Sequence, residues 1–121
     1  MTAFRIVSAG YDHDLMHTRS MVLRQAGFVV DEAYSPLGVL GLVKSDSIDA
    51  VLLCHTIPKD EKRWLIVSIR KAHRLVPIIS IKASAYDSPQ DGCFIATNEP
   101  VELLGVLRKA IQPSAFSPGN A

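Results

Sequence analysis

Apolar segments of strand length alternate along the chain with amphipathic segments of helix length. The apolar runs predict five strands, at residues 4–9, 28–33, 50–54, 78–82 and 93–96. The run from Ala50 to Cys54 has no polar position, which is typical of a parallel strand covered by helices on both faces. The second run ends in acidic residues, so we predict that it forms an edge strand.

Two amphipathic segments in the first half of the chain predict helices. Residues 15–26 carry apolar side chains at helical spacing, and Gly27 is the expected C-terminal cap. Ser35 and Pro36 predict a second helix start, because serine accepts from unpaired N–H groups and proline suits the first turn. We expect this helix, at residues 37–44, to be weak, since Gly38 and Gly41 each cost up to about 1 kcal/mol relative to alanine.

Two further helices are predicted in the second half. Residues 62–75 are strongly amphipathic, with an apolar side of Trp64, Leu65, Ile69, Ala72 and Leu75 and a basic side of Arg63, Arg70 and Arg74. Asn98, Glu99 and Pro100 begin the last helix, whose predicted core stripe is Leu103, Leu104, Leu107, Ala110 and Ile111. A basic stripe is usually a solvated helix face, although an acidic partner or a nucleic-acid backbone would also fit it.

The alternation predicts a parallel sheet with right-handed crossovers and helices on both faces. Residues 83–92 are the exception, because about ten residues are few for a parallel crossover and show little helical pattern. We expect a loop or a single turn there. The alternative is that the last strand runs antiparallel or pairs elsewhere.

Composition narrows the range of functions. The chain has 121 residues, the size of one domain, and we expect it to span residues 1–112 with a flexible tail or linker at 113–121. The 13 basic and 12 acidic side chains leave a net charge of +1, so bulk electrostatics does not favour nucleic acid or a membrane surface. No apolar run approaches the ~18 residues of a membrane span. Two cysteines do not make a disulfide scaffold and are compatible with a reducing cytoplasm.

Three segments together resemble the receiver domain of the bacterial response-regulator family. They are QAGFVV at 25–30, DAVLLCHTIP at 49–58 and VPIISI at 76–81, in the family's order and spacing. The resemblance implies a five-stranded, doubly wound α/β sheet of flavodoxin-like order 2-1-3-4-5, with the fourth helix shortened or missing. It also implies a role in two-component, or phosphorelay, signalling.

The same resemblance places the family's functional positions on unsuitable residues. The phospho-acceptor position falls on Cys54, the acidic pair that binds Mg²⁺ falls on Gly10 and Tyr11, and the switching Ser/Thr falls on Lys82. The lysine at the end of the fifth strand has no match. Aspartyl phosphorylation needs a carboxylate nucleophile and a cation, and Mg²⁺ prefers oxygen ligands. We therefore expect a pseudo-receiver that is not an enzyme, holds no metal or cofactor and is not phosphorylated by the usual route.

Several side chains near this pocket carry competing interpretations. Cys54 is either a reactive thiol or an inert buried side chain. Asp12, His13, Asp14 and His55 are suitable metal ligands, but their spacing matches no metal motif, and solvated loop residues are the simpler interpretation. Lys82 either enters the pocket, to hold an anion or pair with Asp12, or extends its amine to water. A Cys54–Cys93 disulfide is not expected, because strands three and five lie ~9–10 Å apart.

Two functions follow from these observations. The leading hypothesis is an interaction scaffold that binds a signalling protein or another receiver-like chain, including a second copy of itself. The alternative is a small-ligand or redox-sensing module that uses Cys54, His55 and Lys82. A shifted phospho-acceptor at Asp49 or Asp60 is disfavoured, because Asp49 begins its strand at the wrong end of the sheet and Asp60 lies beyond Pro58. Phe94, on the fifth strand, is predicted to belong to the core.

Overall fold

A computed structural model describes residues 3–44, 47–73, 75–82 and 93–111. In chain order the elements are β1 (Arg5–Ala9), α1 (His13–Gln25), β2 (Val29–Ala33), α2 (Pro36–Val43), β3 (Ala50–Leu53), α3 (Lys59–Ala72), β4 (Ile78–Ile81), β5 (Phe94–Ala96) and α4 (Pro100–Ile111). The predictions for the connector at 83–92 and for the tail at 113–121 lie outside the described residues.

The five strands form one parallel sheet in the order β2-β1-β3-β4-β5. This order confirms the doubly wound prediction and the edge position of β2. β5 pairs with β4 in parallel register, with Ile81 opposite Ala96, so the alternative of an antiparallel last strand is wrong. β3 and β4 are buried at every position, as expected of central strands covered on both faces.

Helices cover both faces of the sheet and create two apolar cores. On one face α2 and α3 pack over the sheet, and this core includes Val7, Val39, Leu53, Leu65, Ile69 and Ile78. On the other face α1 and α4 enclose Ile6, Leu23, Leu52, Ile79, Leu103 and Leu107. None of the helices in the described part of the chain is long and apolar enough to cross a membrane.

The helix ends follow the capping residues closely. α1 begins at His13, two residues before the prediction, because Oδ1 of Asp12 accepts a hydrogen bond from the Leu15 N–H at 3.0 Å. The chain leaves α1 through Gly27, whose φ of +98° is in the left-handed region that favours glycine. Ser35 caps α2 as predicted, and its Oγ accepts from the Gly38 N–H at 3.0 Å.

The predicted apolar side of α3 is wrong in part. The helix runs from Lys59 to Ala72, and its buried positions are Lys62, Leu65, Ile66 and Ile69. Trp64 is 49% exposed and Leu75, beyond the helix, is 85% exposed. The buried stripe keeps helical spacing because the Lys62 stem packs inside while its amine donates to Ser80 Oγ at 2.9 Å and to the Ile81 carbonyl at 3.3 Å.

Two smaller predictions also need correction. Phe94 is 41% exposed and is not a core residue, because β5 is an edge strand. Arg70 does not belong to a purely solvated basic face, since its guanidinium donates to the Val76 carbonyl at 2.6 Å. Arg63 is exposed as predicted, and Arg74 lies outside the described residues.

Candidate functional site

Gly10 and Cys54 meet at the carboxyl edge of the sheet, where open α/β sheets place their ligands. Ala9 pairs with Leu53, so the residue after each strand lies beside the other, and the Cys54 N–H donates to the Ala9 carbonyl at 2.8 Å. A β-carbon added at Gly10 would lie 2.7 Å from Cβ of Cys54 and 3.0 Å from Sδ of Met16. The space beside position 10 is therefore filled by neighbouring side chains.

Arg19 extends from α1 into this edge and is 5% exposed. Its Nη2 lies 3.4 Å from Sγ of Cys54 and donates to Oδ1 of Asn98 at 2.6 Å, while Nη1 lies 3.8 Å from Sδ of Met16. Within residues 3–44, 47–73, 75–82 and 93–111, no carboxylate forms an ion pair with Arg19. A permanently charged guanidinium is thus buried beside a cysteine sulfur and neutral acceptors.

Thr56 lies at the same edge, two residues after Cys54. The Tyr11 N–H donates to Oγ1 of Thr56 at 3.0 Å. Burial raises the pKa of the Cys54 thiol, but hydrogen bonds from the Thr56 hydroxyl and backbone and the charge of Arg19 outweigh it. The net result is a pKa below the ordinary value, which favours the thiolate.

Asn98 links this cluster to His55. Because Arg19 donates to Oδ1 of Asn98, the amide nitrogen of Asn98 faces Nδ1 of His55, at 3.1 Å. An amide N–H₂ group only donates, so Nδ1 of His55 is the acceptor in this contact. The same Nδ1 lies 3.8 Å from the Cys54 sulfur, so His55 and Cys54 are neighbours at this edge.

Tyr11 ties two loops together at the same edge. Its hydroxyl donates to Oε1 of Glu61 in the first turn of α3. Burial, the hydrogen bond to Glu61 and the negative charge of Glu61 together raise the pKa of Tyr11 to about 12. The loop after β1 is therefore anchored both at Thr56 and at α3, and Cys54 is fully buried.

Other predicted pocket residues lie elsewhere. Asp12 caps α1, Asp14 is exposed in its first turn, and His13 stacks on Tyr34 with ring centroids 4.1 Å apart. Lys82 is half-buried, and its amine forms no hydrogen bond or ion pair with any described residue, so the pairing with Asp12 is wrong. No group of His, Cys, Asp and Glu side chains suited to a metal ion occurs in the described ranges.

Several sequence-based exclusions are confirmed. Cys54 and Cys93 do not form a disulfide with each other, as the sequence analysis expected. Asp49 lies at the opposite edge of the sheet, where its Oδ2 accepts from the Arg5 N–H at 2.7 Å. Asp60 is exposed near the start of α3. Neither aspartate lies at the carboxyl edge next to Cys54.

The sequence analysis missed Arg19, Asn98, Thr56 and Lys62. Two of them left a signal, because a basic residue occupied an apolar helical face. Arg19 lies four residues after Leu15 and three before Val22, on the predicted buried side of α1. Lys62 lies three residues before Leu65 and seven before Ile69, again on the apolar side of its helix. No local pattern marked Thr56 or Asn98, since their contacts depend on long-range packing.

The comparisons with known proteins agree with this fold. No protein-family model and no curated protein matches the chain. A CheY-like response regulator receiver domain protein from Methanospirillum hungatei JF-1 matches with a TM-score of 0.80 and 16% identity, over 94% of this chain and 98% of that one. A receiver domain protein from Clostridium thermocellum matches with a TM-score of 0.81 and 17% identity, over 93% of this chain and 98% of that one.

A third solved structure is the receiver domain of a sensor histidine kinase from Pseudomonas aeruginosa PAO1, with a magnesium ion coordinated in its active-site cleft. It matches with a TM-score of 0.78 and 19% identity, over 91% of this chain and 98% of that chain. At identities this low, the structural similarity establishes the fold alone. The chemistry must be inferred from the residues at the carboxyl edge. The chain has the CheY-like, flavodoxin-like receiver fold.

Proposed function

We propose that this chain is a signal-transduction module of the two-component type in which aspartyl phosphorylation by the usual route does not operate. The observation that carries the proposal is the identity of the residue after β3. A receiver needs a carboxylate nucleophile there, and this chain has Cys54, buried between Gly10, Thr56 and Arg19.

The residues at this edge do not fit a magnesium ion. Mg²⁺ requires near-octahedral oxygen ligands, usually carboxylates and waters. Gly10 has no side chain, Tyr11 directs its hydroxyl to Glu61, and Asp12 caps α1. The Arg19 guanidinium already supplies a positive charge beside Cys54, and a second cation there would be repelled. We therefore propose a module that is not an enzyme and does not depend on a metal.

We further propose that the output is a protein contact, with a signalling protein or with another receiver-like chain, including a second copy. The support is the fold, since one matched structure is the receiver domain of a sensor histidine kinase. Trp64 and Val67 on α3 add exposed apolar area beside the exposed Arg63, which suits a protein surface. We also propose a bacterial, cytoplasmic setting, which the sequence resemblance implies.

A titration with beryllofluoride and Mg²⁺, followed by two-dimensional amide NMR, tests the absence of phosphoryl chemistry. We expect no saturable shift at Gly10, Cys54 or Lys82. The control is the same titration of a phosphorylatable receiver domain, which must show shifts under the same conditions. Saturable shifts that spread from Cys54 to α4 would overturn the proposal.

A further inference from the structure

We propose that the exposed face of α3 binds the same face of a second copy of this chain, with the two α3 helices antiparallel across a twofold axis. The inference rests on the proposed function only in taking a second copy as the partner. The face consists of Asp60, Trp64, Val67 and Lys71, and we call it the α3 stripe. Residues three and four positions apart lie on one side of a helix, so these four side chains form a single row along α3.

The α3 stripe lies on the side of the helix that faces away from the sheet. Trp64 is 49% exposed and Val67 is 50% exposed, and Asp60 and Lys71 are exposed as well. The opposite side of α3 is the buried one, formed by Lys62, Leu65, Ile66 and Ile69. Two large apolar side chains therefore sit one helical turn apart in water, and burying them against a partner is favourable.

The two ends of the α3 stripe carry opposite charges. Asp60 is in the first turn of α3 and Lys71 is in the last turn, about 16 Å further along the helix. In the part of the chain that the structure describes, neither side chain forms an ion pair. The stripe is thus negative at one end, apolar in the middle and positive at the other end.

This charge pattern is complementary to itself in the antiparallel direction. A twofold axis through the middle of the stripe places position 60 of one copy opposite position 71 of the other, and position 64 opposite position 67. Asp60 then meets Lys71 at both ends, and Trp64 meets Val67 twice between them. A parallel arrangement would place Asp60 against Asp60 and Lys71 against Lys71, which is repulsive. The pattern therefore selects an isologous, antiparallel contact.

The charged residues beside the α3 stripe do not oppose this pairing. The same axis places the exposed Arg63 opposite Ser68, which is neutral and half-buried, and Lys59 opposite Ala72. Neither cation therefore faces a like charge on the second copy. The antiparallel register leaves the favourable contacts of Trp64 and of both charged pairs without a direct repulsive one.

The size of the contact sets its strength. A single pair of helices of 14 residues buries less than the roughly 800 Å² per partner of a standard interface. Exposed ion pairs contribute little to affinity and mainly fix orientation. Trp64 is the expected anchor, because tryptophan is enriched among the residues that dominate binding energy. We therefore expect a reversible dimer with a dissociation constant of roughly 10–300 µM.

Sedimentation velocity and amide NMR of the wild-type chain, from about 5 µM to about 1 mM, give the first test. We expect a monomer that converts reversibly to a dimer, with concentration-dependent shifts concentrated on residues 60–71. A chain that stays monomeric at the highest concentration overturns the proposal, and so does a dimer whose shifts lie on β5 or α4. Since the experiment contains neither Mg²⁺ nor beryllofluoride, its failure leaves the proposed lack of phosphorylation untouched.

The apolar centre of the contact is tested by Trp64→Ala. We expect the dissociation constant to rise at least about tenfold. Val101→Ala is the matched control, because Val101 on α4 is an apolar side chain that is 77% exposed and lies outside the α3 stripe. The control should leave the dissociation constant unchanged. Equal affinities of Trp64→Ala and the wild type would contradict the proposal.

Charge reversal tests the antiparallel direction. Asp60→Lys and Lys71→Asp each place like charges at both ends of the contact, so each variant alone should dimerise roughly tenfold more weakly. An equimolar mixture of the two variants has opposite charges at both ends and should form a mixed dimer with the affinity of the wild type. A mixture that associates no more tightly than the separate variants overturns the antiparallel register.

Matched controls for the charge reversals lie on other helices. Asp14→Lys changes an exposed acidic residue in the first turn of α1, and Lys109→Asp changes an exposed basic residue in the last turn of α4. Each control makes the same change in net charge and in the charge at a helix end as its counterpart on α3. Neither control should alter the dissociation constant, and a loss as large as that of the α3 variants would overturn the assignment to α3.

Discussion

Gly10 and Cys54 lie so close that a β-carbon at position 10 would be 2.7 Å from Cβ of Cys54. Non-bonded carbon atoms are optimally separated by about 3.5–4.0 Å. A side chain at position 10 therefore requires the loop after β1 or the end of β3 to move. Position 10, where the resemblance places one of the family's acidic residues, is therefore sterically closed to a longer side chain.

We predict that Gly10→Ala lowers the free energy of unfolding by about 1–3 kcal/mol, the usual cost of overpacking. Gly105→Ala on α4 is the matched control, because its added β-carbon meets no atom within 4 Å. That control should stabilise the protein by roughly 0.5–1 kcal/mol. Denaturant unfolding measures both, and equal effects of the two substitutions would contradict the packing argument.

The lowered pKa of Cys54 makes stability depend on pH. Burial raises this pKa, but the hydrogen bonds of Thr56 and the charge of Arg19 lower it by a larger amount. The net pKa lies below the ordinary value of 9.0. Between the folded and the unfolded pKa the unfolded chain binds more protons, so the unfolding free energy rises with pH. The stability that Cys54 contributes is fully present above the pKa of the thiol in the unfolded chain. It is lost as pH falls through the lower pKa of the thiol in the folded chain.

We therefore predict that the stability difference between the wild type and Cys54→Ser grows as pH rises toward 9. Urea unfolding at several pH values measures it. Cys93→Ser is the control and should retain the same pH dependence as the wild type. A difference that is constant with pH would show that the thiol has the same pKa in the folded and unfolded chains.

Tyr11 gives a prediction of opposite sign at alkaline pH. Burial, the hydrogen bond to Glu61 and the charge of Glu61 raise its pKa from 10.0 to about 12. The associated stability is present below pH 10 and is lost as pH rises toward 12. Since Tyr11 is partly exposed, we expect an effect below about 1 kcal/mol. In titrations of tyrosinate absorbance near 295 nm, Tyr11→Phe should remove the component that ionises last.

Periodicity and element order were enough to predict a parallel sheet with helices on both faces, because five apolar runs and four helical segments satisfy few topologies. The strand order 2-1-3-4-5 came from the resemblance. The residues that surround Cys54 were harder to predict from the sequence. The resemblance identified positions 10, 11 and 54 by their place after a strand. It gave no information on Arg19, which crosses from α1, or Asn98, which is 44 residues from Cys54 in sequence. Side chains that meet through tertiary packing leave only indirect signals, such as a basic residue on an apolar helix face.

The orientation of α3 is a further point at which the structure and the sequence pattern disagree, and mutation distinguishes them. The pattern placed both Trp64 and Leu65 in the core, whereas Trp64 is half exposed and Leu65 is buried. We predict that Leu65→Ala lowers the free energy of unfolding by about 2–5 kcal/mol. Trp64→Ala should cost less, about 1 kcal/mol, because much of the indole already contacts water. Denaturant unfolding of the two variants gives the comparison. A larger loss for Trp64→Ala would mean that α3 is rotated by about one residue, toward the face that the sequence suggests.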